Sequence, residues 1–157
     1  MELLQWIENS SAAEYIRVSA YGYPAMITLH SLGMAIMIGI SVVLSLRILG
    51  LFKPIPYTTL HKQLSIAWIG FVVNFFSGSL LFAAQATTYI TDTTFLLKMT
   101  FVIIGAILVA VLQAQVKAGS GGWTETQPPP VGTRVLAACT IAAWTFGMIT
   151  GRLIAYL

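Results

Sequence analysis

The sequence predicts an all-α integral membrane protein: a four-helix bundle preceded by an interfacial, amphipathic N-terminal segment. Three observations predict this class. Only 8% of the 157 residues are charged and 57% are hydrophobic. A soluble domain carries about 25% charged residues, so these side chains cannot cover a water-facing surface and lipid must solvate them. Four apolar runs, at roughly 24–49, 64–86, 94–116 and 134–156, each approach the ~20 residues that cross a bilayer as a helix. The intervals between them hold prolines, turn residues and most of the charged side chains. Residues 1–157 thus read as a single membrane domain.

Residues 1–22 are too polar to span. Leu3, Leu4, Trp6 and Ile7 form one apolar patch, and Tyr15, Tyr21 and Tyr23 suit an interface. "SAAE" at 11–14 reads as a capping box, with Ser11 as N-cap and Glu14 reaching back. Two short helices in the outer interface are expected. Glu2, Glu8 and Glu14 interrupt the segment and Arg17 is its one cation, unlike a secretion signal with its basic start and apolar core. The chain is therefore expected to begin at a mature N-terminus.

Pro24 suits the first turn of the first span. The spaced prolines of "FKPIPYTTLHK" forbid a continuous helix into the second span. The short "TTYITDTT" predicts that spans two and three form an antiparallel hairpin. "KAGSGGWTETQPPPVGTR" couples a flexible Gly/Ser stretch to a stiff triple proline before span four. Cations set the direction. Arg47, Lys53, Lys62, Lys117 and Arg134 cluster about the first and third connections; the opposite side has Arg17, Lys98 and Arg152 with Glu2, Glu8, Glu14 and Asp92. The positive-inside rule puts the two basic connections in the cytoplasm. Both termini are then periplasmic in a bacterial inner membrane.

Lipid gives helices no hydrophobic reason to associate, so small residues and interhelical hydrogen bonds carry the packing. Gly147/Gly151, Ala138/Ala142 and Ala35/Gly39 have small-xxx-small spacing. Asn74, Ser77 and Gly78 share a face of span two. That face must look inward, because an amide in lipid would stay unsatisfied.

Three polar side chains are expected at similar depth in the outer leaflet: His30, Lys98 and Arg152, on spans one, three and four. Packing can explain His30, and snorkelling to the headgroups can explain Lys98 and Arg152. The functional reading is a cofactor pocket. An imidazole could ligate iron while the two cations hold propionates, as for haem b; a quinone headgroup bound by His30 and a nearby hydroxyl is the other candidate. His30 is the one metal-ligand candidate. Gly33, three positions on, marks its face as the packing side. Arg152 stands one position, about 100°, from Gly151, so it flanks the seam. The other histidine, His61, lies at the far end of span two, roughly 25–30 Å away by helix rise, and reads as interfacial. A haem here would be five-coordinate, would take Met34 or Met99, or would borrow a ligand from another chain.

Other functions find no residues. The net charge of +3 comes from scattered cations, so no nucleic-acid partner is implied. All five carboxylates lie outside the apolar runs, against a proton pump. No Cys–His pair, metal-ligand cluster or phosphate loop is evident. The lone Cys139 excludes an intrachain disulfide.

The ordered segments "YPAMITLHSLGMAIMIG", "LRILGL", "SGSLLF", "FLLKM" and "GRLIAY" resemble a family of small four-helix bacterial inner-membrane proteins known as a domain of unknown function. More distantly the layout is similar to di-haem cytochrome b and copper-resistance D-type bundles. The resemblance implies a bundle and highlights His30, Lys98 and Arg152. The family's acidic positions before the histidine and before "LR" are here Met26 or Ile27, and Ser45.

Two functional expectations follow. One is a non-catalytic accessory subunit of a larger electron-transfer or photosynthetic membrane complex, whose partners are lipid and other membrane subunits. The other is a small haem- or quinone-binding redox protein with its site around His30.

Overall fold

The computed structural model describes residues 1–154 and 156. Among them seven α-helices follow one another: α1 (Glu2–Glu8), α2 (Ser11–Val18), α3 (Gly22–Ile48), α4 (Leu60–Ala84), α5 (Ala86–Tyr89), α6 (Thr93–Gly119) and α7 (Val131–Leu153), with a 3-10 turn at Tyr57–Thr59 leading into α4. α3, α6, α7 and α4 with its leading turn are long and apolar enough to cross a membrane. Their outward faces carry large apolar side chains such as Ile69, Phe76 and Ile107. Hydroxyls on those faces bond to their own helix: Thr28 Oγ1 donates to Pro24 O at 2.7 Å, Ser31 Oγ to Ile27 O at 2.8 Å and Thr145 Oγ1 to Ile141 O at 2.8 Å. Lipid offers them no other partner.

The ends of the helices follow from local chemistry. α3 stops at Gly50, whose φ of 103° is a left-handed conformation open to glycine. Gly50 N donates to Arg47 O at 3.0 Å and Leu51 N to Leu46 O at 2.9 Å, the paired bonds of a Schellman stop. Asp92 caps α6 by accepting from Thr94 N at 2.8 Å. α7 begins after Pro130, since proline fits ahead of a first turn.

The N-cap of α2 is Ser10 and not the expected Ser11. Ser10 Oγ accepts from Ala13 N at 3.4 Å. The cap sits one position earlier, which moves Glu14 off the third helical position that a capping box requires.

The long helices pack chiefly as two pairs, α3 with α4 and α6 with α7, joined mainly along α3 and α7. α3 turns His30, Gly33, Met37, Ser41, Leu44 and Ile48 inward, a spacing of three and four that lines one helix face. At Gly33 and Gly70 two backbones touch: a Cβ on Gly33 would stand 2.7 Å from Gly70 O, and one on Gly70 2.7 Å from Gly33 O. Between α6 and α7, Gly105 accepts the Trp144 indole against its backbone and Gly147 faces Phe101. Ala35, Gly39, Ala138 and Ala142 are exposed, so their small-xxx-small spacing does not mark the seam; Gly33, Gly70, Gly105 and Gly147 do.

α4 and α6 are antiparallel neighbours in sequence but touch little. The "TTYITDTT" stretch is no tight turn, because it begins inside α5. Toward the long 120–130 loop the two helices are clasped: Trp68 Nε1 donates to Gln113 Oε1 at 2.8 Å, and Gln113 Nε2 to Ser65 Oγ at 2.9 Å. Toward α5 they meet again through Phe82 and Phe95, whose rings stack at 5.5 Å.

Candidate functional site

Between these two contacts α4 and α6 enclose, with α3, a cavity of about 360 Å³, within the ~300–1,000 Å³ of ligand pockets. Phe71, Phe75, Phe82, Phe95, Met99 and Val102 make most of its wall. Its polar lining side chains are His30, Asn74, Ser79 and Lys98. The lining residues Phe75 and Leu96 are 65% and 46% exposed, so the cavity is open on the apolar outer flank of α4 and α6.

His30 enters this cavity from α3, eight residues and thus about 12 Å along the helix from its start at Gly22. It is buried, and α4 fixes its ring. Nδ1 lies 3.0 Å from the backbone carbonyl of Asn74 and 3.3 Å from Ser77 Oγ. A carbonyl only accepts, so Nδ1 carries the proton. In the neutral ring Nε2 then keeps its lone pair, which the Asn74 Nδ2 donor approaches at 3.4 Å. The tie is reciprocal, since Asn74 Nδ2 donates to His30 O at 2.9 Å. Gly78 makes the room: a Cβ there would stand 2.9 Å from His30 Cε1. The face Asn74–Ser77–Gly78, expected to look inward, therefore supplies the acceptor, the second polar contact and the space for one imidazole.

Lys98 comes from α6. Its stem passes over Gly151 of α7, where a Cβ would meet Cδ and Cε at 3.5 Å. The side chain lines the large cavity and also a smaller one of about 20 Å³ beneath it, shared with His30, Asn74, Met34 and Trp144. No hydrogen bond or ion pair involves Lys98 among the described residues: the two ion pairs there are Arg17–Glu8 and Arg47–Glu125.

Arg152 does not join the other two. It is exposed at the end of α7, its Nη2 donating to Tyr156 OH at 3.3 Å, and it lines neither cavity. The structure thus brings His30 and Lys98 together and leaves Arg152 outside.

The residues present test the haem expectation. No three His, Cys, Asp or Glu side chains converge among the described residues, so iron would rest on His30 with a methionine. Met99 lines the large cavity and Met34 the small one. Of the two cations expected to hold propionates, Lys98 alone faces the cavity. This donor set fits a ring bearing one or two oxygens better than a macrocycle bearing two carboxylates.

Sequence reasoning passed over a second cluster at the opposite end of α3. Arg47 is 3% exposed. Its Nε donates to Ile55 O at 2.6 Å, Nη1 to Tyr57 OH at 3.1 Å and Nη2 to Glu125 Oε1 at 2.7 Å, with the guanidinium 3.9 Å over the Tyr57 ring. Tyr57 meets Trp123 edge-on at 5.9 Å. Arg47 therefore pins both loops, a structural role. The signal was Glu125, the one acid in the connections otherwise rich in cations.

Comparison with protein-family models, with curated proteins and with solved structures found no match to this chain. Function is read from the cavity.

Proposed function

We propose that this protein binds a quinone-type molecule from the bilayer, its ring held in the cavity between α4 and α6. The cavity carries the reading: an aromatic-walled space open on an apolar flank, whose polar groups gather at His30, Asn74 and Lys98. Phenylalanine rings stack on a flat ring. The Lys98 head donates to a carbonyl oxygen, and the His30 Nε2 lone pair accepts from a hydroxyl. Lys98 thus supplies a donor for a quinone carbonyl, and the His30 lone pair an acceptor for the hydroxyl of the reduced ring, in exchange for the Asn74 amide.

The positive-inside distribution supports a placement in a bacterial inner membrane with the cavity in the outer leaflet and both termini periplasmic. α1 and α2 then lie in the outer interface, with Trp6, Tyr15 and Tyr21 outward. An accessory subunit of an electron-transfer or photosynthetic complex would offer its outward apolar faces to partners. Those are the faces lipid covers, so the cavity is the feature that favours the ligand-binding reading.

The test is a titration in nanodiscs with a short-chain naphthoquinone, read as tryptophan fluorescence quenching. Saturable binding of one molecule per chain is expected, weakened tenfold or more in His30→Ala. Non-saturable partition alone overturns the reading. A Soret band in the purified protein, lost in His30→Ala, would give the site to haem.

A further inference from the structure

Among the described residues Lys98 has no counter-charge, and this bears on which ring the cavity prefers. The five Asp and Glu side chains, Glu2, Glu8, Glu14, Asp92 and Glu125, lie outside α3, α4, α6 and α7. The nearest in sequence, Asp92, is spent on capping α6. The two ion pairs among the described residues involve other cations. An ammonium at membrane depth is costly unless it is paired, hydrated or carried to the headgroups. The half-buried Lys98 side chain crosses Gly151 of α7 and lines both cavities, so an anion held in them would serve as its partner. The second titratable side chain of the cavity, His30, has its Nδ1 proton committed to Asn74 O and offers a lone pair, so it adds no fixed negative charge.

Resting on the quinone reading, we infer that the preferred ligand carries an ionised oxygen on its ring, so that an acidic hydroxyquinone or phenolate supplies an anion to Lys98. The geometry gives such an anion a place. Lys98 of α6 and His30 of α3 both line the cavity, whose remaining wall is largely aromatic. A ring oxyanion at Lys98 forms a charge-assisted hydrogen bond in a low-dielectric site, stronger than the neutral one a carbonyl makes there. The other ring oxygens of an ionised hydroxyquinone are carbonyls, which only accept, so the charge is read at Lys98. An uncharged ring of the same shape fills the same space and brings the ammonium no counter-ion. The preference is therefore one of charge and not of size.

The experiment compares two probes of one skeleton in nanodiscs of zwitterionic lipid at neutral pH. One is a 3-alkyl-2-hydroxy-1,4-naphthoquinone, ionised under these conditions. The other is its 2-methoxy ether, which stays neutral. Affinities are corrected for partition into protein-free nanodiscs. The hydroxy probe is expected to bind at least tenfold more tightly to the wild-type protein. Lys98→Gln should abolish that preference by weakening the hydroxy probe at least tenfold more than the methoxy probe, and Lys98→Arg should retain it. Equal affinity of the two probes for the wild type, or a preference that survives in Lys98→Gln, overturns this inference and leaves the quinone reading standing. Binding of neither probe to a wild type that is monodisperse and helical overturns both.

Discussion

At the scale of single residues, the site depends on where side chains are missing. Gly78 and Gly33 differ in what a methyl group would meet. At Gly78 it meets the His30 ring at 2.9 Å; at Gly33 it meets the Asn74 backbone nitrogen at 2.6 Å. A ring can tilt, whereas two packed backbones must separate. Gly78→Ala is therefore expected to weaken quinone binding tenfold or more with little loss of thermal stability in detergent. Gly33→Ala is expected to destabilise the protein itself, by about 1–3 kcal/mol or more as overpacking does, read as a lower midpoint in a detergent thermal melt. Equal effects of both on stability would contradict this division. His30 was legible from sequence because Gly33 shares its face. Arg152 was legible as doubtful from its one-position offset from Gly151. The role of Gly78 was hidden, because nothing in "NFFSGS" shows which side chain of another helix its missing Cβ admits.

At the scale of elements, the four long helices were readable from apolar run length, and their ends moved by only a few residues. The relation between α4 and α6 was readable only in part. A short connection implies adjacency, and α4 and α6 do meet at both ends; that α5 occupies the connection and a cavity lies between the two contacts was not foreseeable. The short helices at the same end are held electrostatically. Glu8 Oε2 accepts from Thr87 Oγ1 at 2.6 Å and Thr87 N at 3.1 Å, and Arg17 Nη1 stands 3.6 Å from Glu8 Oε1. Thr87's side-chain and backbone hydrogen bonds, aided by Arg17, hold the Glu8 carboxyl below its ordinary value. A lowered folded pKa means that the contribution is complete above the unfolded value and is lost as pH falls through the folded one. Hydrogen exchange of residues 2–18 is thus expected to stay slow down to the usual carboxylate range and to accelerate below it. In Glu8→Gln the pH step should vanish. A step centred near neutrality would contradict the assignment. At the other end, Arg47→Ala removes hydrogen bonds to both loops and is expected to cost on the order of 2 kcal/mol. Glu125→Gln should cost under about 1 kcal/mol, because Glu125 is half exposed and screened. Limited proteolysis of the 120–130 loop should follow that order, with Arg47→Ala cut first.

At the scale of the whole molecule, orientation and cavity are linked. The 50–62 and 118–133 connections are expected in the cytoplasm, so compartment reporters fused after Ser120 and at the C-terminus should read cytoplasm and periplasm respectively; the swapped pattern would put the cavity in the other leaflet, and matching signals would contradict the topology. The central claim is that a quinone ring occupies the gap between α4 and α6. Photolabelling in nanodiscs with an azido-naphthoquinone, followed by peptide mapping, tests it most directly. Labels are expected on α4 between residues 71 and 82 and on α6 between residues 95 and 102, suppressed by excess unlabelled quinone and reduced in His30→Ala. Labels spread over the outward faces of α4, α6 and α7, unaffected by competitor, would contradict it.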